Sequence, residues 1–436
     1  MDKSKNNKQF CFFICLALFY LFIVNAVNGI DFFEPIREQV STGFKAVIGL
    51  FFLMILPKLV KCFELKDFCL LFASGLIIMT NYVFFPDLNI YFMSTATNFL
   101  TICLPIALVS SKIDDYDCFF KYLLFLSRSI AVLAILFVFD SFMSVKSISY
   151  QNSYSMGLGY GIIIPILILL YNINNKTKID FFFLSILLFV LVLYCSRGPV
   201  FSIGLFFVYL FVNRSIKQKK TLNIILLLFA LLIVTFSYKA LLYSFGSVLE
   251  KTGLQSRSIQ MLSELSNEKV FLNQRDELWN LITDDIMDFP FKVRGINAEW
   301  EIIGGYAHSI IYELTYQGGL FFGSLCLLVI FSLVAVQLFS KKRDKADDLL
   351  VVFMIATIPP LMVSNSLWIS SSFWLWIGLT MGAYSKKRII NPVKSNTESP
   401  DPLITPSRTT PANGIKLLPA VSASAQQGHA ILPDRT

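Results

Sequence analysis

Charge is scarce in this chain: Asp, Glu, Lys and Arg make up 15% of its 436 residues, against ~25% in an ordinary soluble domain. That shortage excludes a soluble globular protein. Histidine is scarcer still, with only His308 and His429. The eight cysteines all lie in or beside apolar runs, and none falls between Leu241 and Tyr306. A disulfide framework or a zinc site in that polar stretch is therefore excluded. No internal repeat is visible, so a transporter built from inverted halves has no sequence support. The last 46 residues, 391–436, contain no aromatic side chain but seven of the 16 prolines. Such a segment cannot bury a core and is expected to be disordered.

What is abundant is apolar: 55% hydrophobic residues, 43 of them Phe, with a mean hydropathy of +0.65. Runs long enough to cross a ~30 Å hydrocarbon core, roughly 17–25 residues each, recur along the chain. The expected fold is an all-α polytopic membrane protein with about twelve spans. They are placed at 10–28, 43–57, 67–86, 90–110, 119–140, 156–173, 180–195, 198–213, 221–240, 318–339, 348–365 and 369–384. The first run follows Lys3, Lys5 and Lys8 but lacks a small-residue cleavage site, which reads as a retained span rather than a signal peptide.

The formal net charge of +8 is not a nucleic-acid signal, because the basic residues sit in short clusters between apolar runs. With a cytoplasmic N-terminus, the inner connections hold Lys58, Lys61 and Lys66, then Lys112 and Lys121, Lys176 and Lys178, Arg214 to Lys220, and Lys341 to Lys345. The outer connections before residue 241 carry little beyond Arg37, Lys45, Lys146 and Arg197. This is the asymmetry of the positive-inside rule. The chain thus divides into nine spans over 1–240, a large outer loop over 241–317, three more spans over 318–385, and a cytoplasmic tail over 386–436.

The outer loop is the one long hydrophilic excursion. In NQRDELWNLITDDI, helical spacing puts Arg275, Trp279, Ile282 and Ile286 on one stripe, with Asp276, Asn280 and Asp284 turned away. An Arg with Trp at i+4 can stack on the ring and keep its fork free for an oxyanion. A plain surface helix with Arg at its edge is the alternative. Pro290 should stop this helix, and Gly295, Gly304 and Gly305 allow tight returns. His308 closes the loop, on one helical face with Tyr312 and Thr315, ahead of Gly318, Gly319 and Gly323, which permit a bend or a close helix approach. An imidazole suits proton transfer near neutrality, and a hydrogen-bonded packing residue is its plain alternative. Glu299, Glu301 and Arg257 are candidates for orienting it, whereas Glu313 lies too far around the helix. Arg197 sits in the near-loopless joint CSRGP, at the same outer face, as a functional group or a snorkelling anchor.

The order of these pieces resembles the O-antigen ligase and polymerase superfamily. The matching segments are CSRGP at 195–199, NQRDELW at 273–279 and YAHSIIYELTYQGGLFFG at 306–323. The family typically has Gly before the loop Arg and Asn after the His, where this chain has Gln274 and Ser309. The resemblance implies a GT-C-like scaffold in the bacterial inner membrane with a periplasmic loop. It implies metal-independent, cofactor-free, inverting glycosyl transfer from an undecaprenyl-diphosphate-linked glycan donor to a glycan or to lipid A–core. Arg197 and Arg275 would bind the departing diphosphate, with Arg257 a weaker third, and His308 would act on the acceptor hydroxyl. Trp279 and Tyr312 would help hold diphosphate or sugar. Membrane lipids, and a protein that sets chain length, would be partners, and nucleic acid would not. The usage of Phe, Ile, Asn and Lys resembles the divergent polymerases rather than the ligases. A lipid-linked oligosaccharide flippase is the rival from another class. It would need charges inside spans, where only Arg128 is clear and Asp140 lies near a span's outer end.

Overall fold

The computed structural model describes residues 3–29, 35–144, 156–173, 178–194, 197–217, 275–340 and 344–390. Among these residues every regular element is helical. The helices are α1 (Lys3–Gly29), α2 (Arg37–Val60), α3 (Leu65–Phe84), α4 (Asn89–Asn98), α5 (Leu104–Ser110), α6 (Tyr116–Ser144) and α7 (Met156–Asn172). They continue as α8 (Lys178–Tyr194), α9 (Arg197–Lys217), α10 (Arg275–Asp288), α11 (Glu299–Ile303), α12 (Ile310–Leu338), α13 (Lys345–Val363) and α14 (Ser371–Ile390). A 3₁₀ turn at Pro86–Leu88 precedes α4, and a π turn at Phe99–Cys103 joins α4 to α5.

Among the described residues, seven helices are long and apolar enough to cross a membrane: Ser4–Val27, Arg37–Val60, Leu65–Phe84, Pro86–Ser110, Tyr116–Leu136, Ile310–Leu338 and Lys345–Val363. By this measure the chain is an all-α, multi-pass membrane protein, with seven of the twelve expected spans among these residues. Four of the missing spans are present as helices that fall outside that set. α7 and α8 are described over 17 residues each, at the lower limit of the ~17–25 residues a span needs. In α9 the apolar part is Gly198–Asn213, and α14 carries Lys386, Lys387 and Arg388 shortly before its end at Ile390. The twelfth candidate, 221–240, lies outside the described residues, as do residues 241–274 of the outer loop and the tail from 391.

The core gathers α1, α5, α6, α7, α13 and α14 around Phe13, Phe22, Phe119, Phe353 and Trp376, all fully buried. α2 and α3 leave most of their surface uncovered, with Leu50, Met54, Phe72 and Met79 exposed, as lipid-facing helices do. α14 crosses α5 at backbone contact. A Cβ on Gly378 would fall on Ala107 O and Ser110 Oγ, and one on Gly382 would lie 2.6 Å from Ser111 O. Small residues are what let apolar helices pack this closely where lipid supplies no competing hydrophobic drive. Gly378→Val should therefore overpack the crossing and cost about 1–3 kcal/mol, read as a lower unfolding midpoint in detergent. An unchanged midpoint would contradict the packing.

Several charges inside the bundle are paired. Asp67 is fully buried and takes Lys112 as its ion-pair partner and Ser111 Oγ at 3.0 Å. Arg128 Nε meets buried Asp180 at 2.7 Å, and Asn172 donates to the other carboxylate oxygen at 2.7 Å. Asp348 accepts from Tyr171 at 2.9 Å and Tyr209 at 3.4 Å, joining α7, α9 and α13.

The polar segment folds into its own small core, in which Ile282, Ile286, Ala298, Ala307 and Tyr316 pack on Leu88. Residues 294–298 plug the break between α3 and α4. Gly295 takes φ 92°, where a Cβ would lie 2.7 Å from the Phe85 ring. Ile296 N donates to Asn81 Oδ1 at 2.6 Å, and Asn297 Nδ2 to Thr95 Oγ1 at 2.8 Å. The end of the polar segment is itself helical. α12 begins at Ile310 and is interrupted at Gly319 (φ 69°, ψ 171°), the conformation only glycine adopts freely. A Cβ on Gly323 would fall on Leu314 O and within 2.6 Å of Thr315 Cα. The arm 310–318 thus lies hard against the start of the apolar helix, and the glycines serve as the bend.

Candidate functional site

Two turns at one face of the bundle carry the candidate site. One is the approach to α12, residues 306–309. The other is the α13–α14 connection, residues 364–370. Helix α10 lies beside both, with the expected stripe inward: Ile282 and Ile286 are buried, while Asp276, Asn280 and Asp284 are exposed. The helix ends at Asp288, just ahead of Pro290.

Arg275, the first residue of α10, donates from Nη1 to the carbonyl of Val363, the last residue of α13. The expected Arg275–Trp279 stack is replaced by another ring partner. Trp279 lies on Tyr312, with centroids 5.0 Å apart and planes 17° from parallel, and its Nε1 donates to Ala307 O at 2.8 Å. Tyr312 thereby fixes Trp279, and Trp279 fixes the strand of chain that presents His308.

His308 is not on the α12 face expected for it. It precedes the helix in the left-handed region, at φ 57°, a conformation uncommon for a residue with a Cβ. Extended Ser309 then caps α12. The imidazole packs on Tyr306, centroids 4.2 Å apart, and its Nδ1 is buried without a hydrogen-bond partner. Burial, and then the neighbouring Arg275 cation, push its pKa down to about 4, while its interaction with the Ser364 backbone acts the other way. The ring is therefore neutral at pH 7, with an unshared nitrogen.

This shift has a consequence for stability. An unfolded histidine titrates near 6.5, above the folded value of about 4. Between these values the unfolded chain binds a proton that the folded chain does not, so stability is full above about 6.5 and is lost as pH falls toward 4. The unfolding midpoint should drop by a few degrees between pH 7 and pH 5, and less in His308→Asn. The same slope in both proteins would contradict the buried, neutral imidazole.

Of the expected orienting groups among the described residues, neither Glu299 nor Glu301 reaches His308. Glu301 is exposed, and Arg257 lies outside the described residues. Glu299 is 1% exposed and takes Gln317 Nε2 on both oxygens at 3.0 Å. Burial raises its pKa, the Gln317 bonds opposing this. Glu313, also 1% exposed, accepts from Ser366 Oγ at 2.5 Å and Leu367 N at 3.0 Å. Gln317 Oε1 accepts from Trp368 Nε1 at 2.8 Å. One turn of α12 thus pins the 364–368 segment whose flanks meet Arg275 and His308. Arg294, another loop cation, is consumed structurally: Nε meets Asp285 at 2.6 Å, Nη2 donates to Asp285 O at 2.7 Å, and the guanidinium lies 4.7 Å from the Tyr316 ring centroid.

Next to Ser364 in the chain, Asn365 lines a cavity of about 250 Å³. Leu18, Leu126, Ile130 and Ile164 form part of its apolar wall, and Asn25, Tyr160, Ser370, Ser371 and Ser372 supply polar groups. Tyr160 abuts the start of α9, where a Cβ on Gly198 would lie 2.6 Å from its hydroxyl. Arg197 is the first residue of α9, and its side chain lies outside the described residues. Neither Arg275 nor His308 lines the cavity; His308 reaches it only through Ser364, the neighbour of lining Asn365, and the start of α9 only through Gly198 against lining Tyr160. Among the described residues no three His, Cys, Asp or Glu side chains are grouped as a metal ion would need.

No family model, curated protein or solved structure matches the chain. The Ser-rich 364–372 turn and the Gln317 bridge were not singled out in the sequence. The one available signal was three consecutive serines, Ser370 to Ser372, in a connection between apolar runs.

Proposed function

We propose that the chain is a glycosyltransferase that joins glycan units carried on a polyprenyl diphosphate, at the outer face of the bacterial inner membrane, as a surface-polysaccharide polymerase. The observation that carries this reading is the juxtaposition of Arg275 with a neutral His308 at the Val363–Ser364 end of the turn whose next residue, Asn365, lines a polar cavity. In this reading the polar segment is the large periplasmic loop of a GT-C-like scaffold, and the shorter helices α7, α8, α9 and α14 count among about twelve spans.

The step follows from the residues. The acceptor hydroxyl gives its proton to the His308 imidazole, and its oxygen attacks the anomeric carbon. The bond from that carbon to the diphosphate oxygen breaks on the opposite side, with inversion. The diphosphate leaves with the electron pair, against Arg275 and Arg197. Arg275 spends one N–H on Val363 O, and the rest of its five-donor fork remains for oxyanions. A pKa of about 4 makes the resting imidazole a weak base for neutral pH. A diphosphate on Arg275 offsets the cation that helps depress it, so donor binding strengthens the base.

A flippase reading loses its main support, since Arg128, the clear charge inside a span, is bonded to Asp180. The test is single-turnover: protein in liposomes with lipid-linked glycan extracted from a strain lacking the chain. Release of polyprenyl diphosphate together with a lengthened glycan supports the reading. Movement of intact lipid-linked glycan across the bilayer without cleavage would overturn it.

A further inference from the structure

We propose that the cavity between α1, α6, α7 and the 365–372 turn is the acceptor subsite and that it takes a single uncharged sugar ring. The proposal rests on the glycosyl-transfer reading above and goes further, since it assigns the substrate class and the residues that choose it.

Size is the first argument. A volume of about 250 Å³ lies just below the ~300–1,000 Å³ of pockets that hold drug-sized ligands. It admits one ring and not a chain, so the rest of the glycan must extend outward. The lining is the second. None of its side chains is charged, so a uronic or sialic acid placed there would find no cation for its carboxylate, a costly arrangement for a charge withdrawn from water. A neutral sugar meets matched surfaces instead. Its hydroxyl rim faces two amides, a phenol and three serine hydroxyls, and its C–H face meets Leu18, Leu126 and Ile130. Serine hydroxyls rotate to donate or accept, which suits a ring carrying both kinds of group.

The backbone is shaped for this pocket. Asn25 Nδ2 is tied to Leu21 O at 2.8 Å, and a Cβ on Gly157 would fall on Asn25 Oδ1. Glycine at 157 is thus what lets α7 close against α1 at the cavity wall. Asn365 accepts Ser366 N on Oδ1 at 2.9 Å, which orients its amide nitrogen as a donor for the ligand. Ser370 and Ser372 hydroxyls are linked at 3.2 Å. The bland occupant of such a cavity is water, about eight molecules at ~30 Å³ each.

The experiment uses the full chain in nanodiscs, with methyl hexopyranosides and methyl hexuronosides as probes in saturation-transfer NMR, and farnesyl diphosphate binding measured on the same samples. The expected result is saturable binding of the neutral glycoside, at least tenfold weaker for the uronoside. Ser371→Leu, which fills the cavity, should weaken neutral-glycoside binding at least tenfold. Asn365→Asp keeps the Ser366 N–H bond and should weaken uronoside binding further. Farnesyl diphosphate binding should be unchanged in both variants. If farnesyl diphosphate binds but neither glycoside saturates, or if both variants bind glycosides like the parent, the cavity holds water only and the subsite is wrong. If the parent protein fails to bind farnesyl diphosphate, the glycosyl-transfer reading itself falls.

Discussion

His308→Asn reduces glycan transfer by about 10²–10⁴-fold, the usual contribution of a positioned acid–base group, while the protein still accumulates in the membrane. Asparagine is the informative substitution because position 308 is left-handed, at φ 57°, and Asn tolerates that backbone better than Ala. The Trp279–Ala307 bond and the Ser309 cap use main-chain groups that the substitution leaves in place. A loss of activity then reports the imidazole and not the turn. The measurement is single-turnover release of polyprenyl diphosphate from lipid-linked glycan. Full activity in a well-folded variant would make His308 a packing residue on Tyr306.

Arg275→Gln should act twice. Transfer falls by about 10²–10³-fold, as when one preorganised donor to a developing oxyanion is removed, and Arg275→Lys does not restore it, since the planar fork that grips Val363 O is lost. Independently, the titration of His308 moves upward from about 4 toward 6.5, because the second of the two influences that depress it is gone. Histidine-labelled NMR resolves this with only two ring signals, His308 and His429, and His308→Asn assigns them. Donor binding to the parent protein should move the same signal in the same direction. An unchanged titration in Arg275→Gln would separate the two residues and break the proposed coupling between donor binding and base strength.

Local patterns were legible in the sequence because they depend on residues three or four apart. The Arg275–Trp279–Ile282–Ile286 stripe, the stop before Pro290 and the returns at Gly295 and Gly304 all follow from helical spacing and backbone freedom. The bend among Gly318, Gly319 and Gly323 was visible as a possibility and is realised at Gly319. Hydropathy marks the apolar runs but not their helical bounds: seven expected spans are long, apolar helices among the described residues, while α7 and α8, described over 17 residues each, stand at the lower limit for a span. Contacts between distant segments were not legible at all. Glu313 meets Ser366 and Leu367 across more than 50 residues, Trp279 prefers Tyr312 to Arg275, and Tyr160 meets Gly198 only once α7 and α9 are packed. No periodicity encodes such meetings, and the cavity between them exists only in the folded chain.

The most direct test of the central claim is the glycan ladder of a strain lacking the chain, complemented with the parent protein or with His308→Asn, Arg275→Gln or Arg197→Gln, each at normal membrane levels. The account predicts a full ladder with the parent and a single repeat unit on the lipid core with each variant, the pattern of a lost polymerase. Polymer held back on its carrier would make the protein a ligase with the same site. Full ladders from all three variants would contradict the account, because no glycosyl transfer could then depend on these residues.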